Sequence, residues 1–141
     1  MKIKYFMFVL FVWCLLVNRS SYCAAEEKKK EKSVVHGVMI VTMDAPLRAT
    51  IGRKVNVEVI IGNERATKVT TILTVTCLTT KQQIGREAET LDGLSSQKIV
   101  YTWNTEGLKE GSYTIRAEVE KVPGETDVDD NVRQIEIALM R

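Results

Sequence analysis

Gly111-Ser112-Tyr113-Thr114-Ile115-Arg116-Ala117-Glu118-Val119 is the stretch that decides the fold. Its apolar residues Tyr113, Ile115, Ala117 and Val119 alternate with Thr114, Arg116, Glu118 and Glu120. Successive side chains of a strand point to opposite faces, so this period of two is the pattern of a half-buried β-strand. The same period recurs on both sides of it. Val55, Val57, Val59 and Ile61 alternate with Asn56, Glu58 and Ile60. Ile99, Tyr101 and Trp103 alternate with Val100 and Thr102, and Ile135, Ile137 and Leu139 with Glu136 and Ala138. Thr67 to Thr80 is rich in threonine, and β-branched residues prefer strands.

Turn formers stand where each alternation stops: Pro46, Gly52, Gly62-Asn63, Gly85, Asp92-Gly93, Gly107, Gly111 and Pro123-Gly124. No useful length carries an unbroken apolar stripe at helical spacing. The pattern predicts about seven strands, near 34–43, 54–62, 68–79, 82–90, 97–104, 112–121 and 132–140. Many short strands with turns about every ten residues predict an all-β, immunoglobulin-like antiparallel sandwich over residues 34–141.

The N-terminus reads differently. Met1-Lys2-Ile3-Lys4 is a short positive segment, followed by an apolar run from Tyr5 to Val17 that ends at Asn18-Arg19. A spanning helix needs about 20 apolar residues, so this run suits a helical signal peptide, residues 1–25, cut after Cys23-Ala24-Ala25. An uncleaved anchor and a lipid on Cys23 are the competing readings, and all three place the rest outside the cytoplasm. Glu26 to Lys32 is fully charged and predicts a solvated linker over 26–33. Cleavage after Ala25 removes Cys14 and Cys23 and leaves Cys77 alone, so no internal disulfide is expected. Cys77 shares a face with Leu73 and Val75 and reads as a small buried hydrophobe.

Net charge is +2, from 20 basic and 18 acidic residues. Lys2, Lys4 and Arg19 precede every acid, so the remainder is close to neutral. That balance speaks against nucleic acid, which is bound by a basic patch. All three Phe lie in the leader, which leaves Tyr101, Trp103 and Tyr113 as the aromatic rings of the sandwich. The spacing puts Trp103 and Tyr101 on the core face with Ile99, so no ring is left to form a sugar platform. Tyr113, after Gly111-Ser112, fits a tyrosine corner, whose hydroxyl bonds backbone near the start of a late strand.

Val57-Glu58-Val59-Ile60-Ile61-Gly62-Asn63 is followed in order by three further segments. These are Leu91-Asp92-Gly93 with Ile99-Val100-Tyr101-Thr102-Trp103, then Glu110-Gly111-Ser112-Tyr113-Thr114-Ile115-Arg116-Ala117-Glu118-Val119, then Val122-Pro123-Gly124-Glu125 with Asp129-Asp130-Asn131. As an ordered set these resemble the cell-adhesion-related domain found in bacteria (CARDB), over most of 34–141. The departures are Glu64 after Asn63, where the family has glycine, and the Asp-Asn pair where many members show Asn-Asn. The resemblance implies an extracellular, non-catalytic interaction module of immunoglobulin-like fold.

Catalytic chemistry is hard to assemble. His36 is the only histidine, stands beside Gly37 without a motif, and reads as a solvent-facing residue of the first strand. After cleavage a zinc site has one cysteine, Cys77, and one histidine to draw on. The sharpest charged feature is Glu125-Thr126-Asp127-Val128-Asp129-Asp130-Asn131. Glu125, Asp127, Asp129, Asp130 and Asn131 make it a calcium candidate, because calcium takes six to eight oxygen ligands. It departs from the EF-hand loop at Val132 and Ala138, which stand where glycine and the bidentate glutamate belong. The competing reading is a polar hairpin in which Asp130 and Asn131 bond backbone groups. The expectation is an exported, non-enzymatic binding or adhesion module of the cell envelope or surface, with a protein or cell-surface partner and no nucleic acid. A structural accessory subunit of an envelope complex is second, and a small secreted hydrolase third.

Overall fold

Eight strands follow one another: β1 (Val38–Asp44), β2 (Arg48–Thr50), β3 (Lys54–Asn63), β4 (Val69–Cys77), β5 (Gln82–Leu91), β6 (Ser96–Asn104), β7 (Gly111–Val119) and β8 (Val132–Met140). The computed structural model describes residues 34–141; the signal peptide and charged linker, with Cys14 and Cys23, lie outside the described residues. One sheet has the order β1-β3-β6, the other β2-β8-β7-β4-β5. The two layers form the expected all-β sandwich, and the apolar half of each alternating run lines the space between them. Val55, Val57, Val59 and Ile61 of β3 face Leu73, Val75 and Cys77 of β4 and Ile115, Ala117 and Val119 of β7, all buried.

Three expectations need correction. The described residues form eight strands, not seven, because Ala45-Pro46 carries the chain from one sheet to the other and three residues then pair with β8. Three residues are too few to show a period of two. That β2–β8 pair is parallel, whereas every other pairing is antiparallel. The first strand begins at Val38 rather than near residue 34. Upstream of it, the Val35 carbonyl accepts from Thr126 N at 2.9 Å, so residues 34–37 are held by the acidic loop instead of a strand. His36 is therefore not a strand residue; it is exposed in this segment.

Candidate binding site

Trp103, on β6, is fully buried, and its ring centroid lies 5.5 Å from that of Tyr113 at a 57° tilt. Such tilted pairs suit the ring quadrupoles. The Tyr113 hydroxyl donates to Lys109 O at 2.8 Å and accepts from Lys109 N at 3.2 Å, the geometry of a tyrosine corner. Cys77 is a free thiol buried at the end of β4. Tyr101 covers Gly85 so closely that a Cβ there would overlap its ring. Burial, with Glu87 and Glu89 adding their charge, pushes the Tyr101 phenol up to about 12.

The acidic loop is built around Glu125. Val122-Pro123-Gly124-Glu125 turns the chain back, and the Glu125 side chain enters the protein with 6% exposure. Its Oε1 accepts from Val38 N at 2.8 Å and its Oε2 from Val122 N at 2.9 Å. Asn131, also buried, lies against the same carboxylate and the Val38 carbonyl. A Cβ at Gly37 would run into this carboxylate and Val122, so the glycine makes room for it. Two of the five calcium candidates, Glu125 and Asn131, thus join the loop to the start of β1. Asp127 and Asp130 stay near the surface, and Asp129 is exposed in a 3₁₀ turn over Asp129–Asn131. Burial holds the Asp130 carboxyl above the ordinary carboxylate range, with the charges of Asp127 and Glu64 reinforcing it. Among the described residues, no group of three or more His, Cys, Asp or Glu is arranged to hold a metal ion.

Sequence reasoning treated His36 as isolated, but folding brings it between two carboxylates. Its Nδ1 lies 3.2 Å from Asp127 Oδ2 and 3.3 Å from Glu64 Oε2. The partners come from segments 28 and 91 residues away along the chain, so no local pattern could reveal them. Asn63 was likewise read only as a turn residue. It is 3% exposed, and its Nδ2 donates to Thr67 O at 2.8 Å and Asp92 O at 2.9 Å. Its Oδ1 accepts from Arg65 N at 2.9 Å, so this one amide ties the β3–β4 and β5–β6 turns together. The Gly-Asn pair at a strand end was the available signal.

A further pair escaped the sequence reading. Residues paired across an antiparallel ladder share a face. Glu87 and Glu89 pair with Leu73 and Thr71, so they lie on the inner face of the larger sheet. Glu87 is nevertheless exposed and Glu89 only half-buried, because β6 is the last strand of the opposite sheet.

With this geometry in view, comparison with solved structures identifies the architecture. The crystal structure of the CARDB domain of the PF1109 protein from Pyrococcus furiosus, in complex with di-metal ions, matches with a TM-score of 0.64. The match covers 76% of this chain and 97% of that one at 16% identity. The fold is that of a CARDB domain. The solution NMR structure of the same Pyrococcus domain matches the CARDB-like sandwich with a TM-score of 0.63 at 17% identity, over 73% and 94% of the two chains. A β-glucosidase from Listeria innocua also matches, with a TM-score of 0.51 at 15% identity. There, 72% of this chain corresponds to only 16% of the enzyme, so what the two share is one small portion of a far longer chain. No family model matches the sequence, and no curated protein does.

Proposed function

We propose that the CARDB-like sandwich is a non-catalytic binding or adhesion module of the cell envelope or surface, exported behind the leader of residues 1–25. The observation that supports this reading most is the correspondence over nearly the whole of a CARDB domain. The use of its polar side chains agrees with it. Glu125, Asn63 and Tyr113, which have the hydrogen-bonding capacity a reaction would draw on, are spent on holding loops and corners. The accessory-subunit reading stands second, supported by β6, which among the described residues has a strand partner on one side only. Expression of the tagged chain followed by cell fractionation tests export. The expected product lies outside the cytoplasm and is shorter by the leader; full-length chain confined to the cytoplasm would overturn it. Affinity capture from envelope fractions then tests binding. One stoichiometric partner would decide for the subunit, several surface ligands for adhesion, and recovery of the bait alone would count against both.

A further inference from the structure

The sandwich has four strand edges, and three of them are blunted. A bare edge is a template for another strand, and proteins protect edges with bulges, charges and short strands. β2 has three residues. β1 has a register break between Ile40 and Thr42, and Arg133 Nε donates to its Ile40 carbonyl at 2.8 Å from β8. β5 has a break opposite Val75 and Thr76 and carries Arg86, Glu87 and Glu89. β6 differs. It pairs with β3 through nine residues in unbroken register, has no strand on its other side among the described residues, and carries Val100, 48% exposed, at its middle. Its one charge, Lys98, is paired with Glu58 of β3.

The chemistry beside that edge restricts what fits it. A strand added to β6 would lie about 4.8 Å beyond it and about 10 Å above the larger sheet. It would therefore cover Glu87 and Glu89, which overhang there. Among the described residues neither has a basic partner; Glu89 accepts only from Gln97 Nε2, at 3.0 Å. Beside them the Tyr101 hydroxyl is buried without a hydrogen-bond partner, on a residue 5% exposed. Covering two unpaired carboxylates is costly unless cations accompany the cover. Alternate residues of a strand share a face, so basic side chains two apart would meet Glu87 and Glu89, which are also two apart.

We propose that β6 is a docking edge for an extended, basic segment of a partner protein, which adds a strand to the smaller sheet and sets Lys or Arg side chains against Glu87 and Glu89. This rests on the binding-module reading and names the partner's chemistry. A second copy of this chain fits worse, since antiparallel β6–β6 pairing would bring in a second Glu87 and Glu89 without a cation.

The test is titration of the protein with a peptide of about ten residues, a common strand length, that alternates lysine and valine, and with its glutamate counterpart. NMR should show shifts and slowed amide exchange along Ser96–Asn104 with the lysine peptide alone. Affinity should weaken as salt is raised, because exposed charge pairs are screened. The double variant E87Q/E89Q should melt as the wild type does and bind about tenfold more weakly, while E118Q, on the opposite face, binds normally. Equal binding of both peptides, undiminished binding by E87Q/E89Q, or a dimer in sedimentation that pairs through β6 would overturn the proposal. An envelope partner that E87Q/E89Q captures undiminished would leave the module reading standing and overturn this site alone.

Discussion

Glu125→Ala removes a carboxylate that is 6% exposed and accepts from two backbone amides, Val38 N at 2.8 Å and Val122 N at 2.9 Å. Hydrogen bonds to a charged group contribute about 1.5–3 kcal/mol each, and a buried donor left unmade costs about 1–3 kcal/mol. Water entering the vacated space above Gly37 recovers part of that loss. The expected cost is therefore about 3–5 kcal/mol, among the large single-residue effects. For a domain of about 100 residues this lowers Tm by roughly 12–25 °C. Urea unfolding followed by far-UV circular dichroism measures it, in calcium and again in excess chelator. The gap between wild type and variant should be the same in both, because the Glu125 carboxylate accepts from backbone amides rather than from a metal ion. Asp129→Asn, at an exposed position, should stay within about 0.5 kcal/mol of wild type. A Glu125→Ala cost below about 1 kcal/mol, or a gap seen only with calcium, would refute the anchoring role.

Three further substitutions probe the core. Tyr101→Phe removes a buried hydroxyl that has no partner, so it should be neutral within about 1 kcal/mol or stabilising. The native phenol is held up to about 12 against 10.0 when free, so wild-type stability should fall as pH rises between those values, and Tyr101→Phe should lessen that fall. An unchanged alkaline profile would count against the burial of this ring. Trp103→Ala empties the largest fully buried side chain of the core and should cost on the order of 3–5 kcal/mol in chemical unfolding; a cost near that of a surface change would contradict the packing. Cys77→Val should cost at most about 1.5 kcal/mol, and reductant should leave Tm unchanged. A reductant-dependent Tm, or a dimer on a non-reducing gel, would show that the thiol is bridged.

The readable parts of this protein are those whose information is local. The alternation in β3, β6, β7 and β8 places each side chain on one of two faces, and the structure puts Val57, Trp103, Ile115 and Ile137 on the inner one. Glycine and proline mark most of the turns between them. β5 was legible as a strand, but not the direction of its charges. Glu87 and Glu89 share a face with Gly85, and only the covering sheet decides whether that face is buried, so nothing in the sequence singles them out. Glu125 shows the reverse case. The sequence sets it beside Asp127, Asp129 and Asp130 as one more calcium candidate, yet it is the one acid of the loop that turns inward.

By itself, then, the sequence determined the strand count to within one, the faces of the core strands and the tyrosine corner at Tyr113. Each follows from φ/ψ preference or from the two-residue repeat of a strand, which act over a few neighbouring residues. Only the tertiary structure decided that β2 crosses to lie parallel with β8, that His36 sits between Glu64 and Asp127, and that Glu125 receives the amide of Val38. It also decided that, among the described residues, β6 ends its sheet beside Glu87 and Glu89. These features depend on segments tens of residues apart meeting at particular atoms, and that meeting is set by how two whole sheets pack together, which no local pattern encodes.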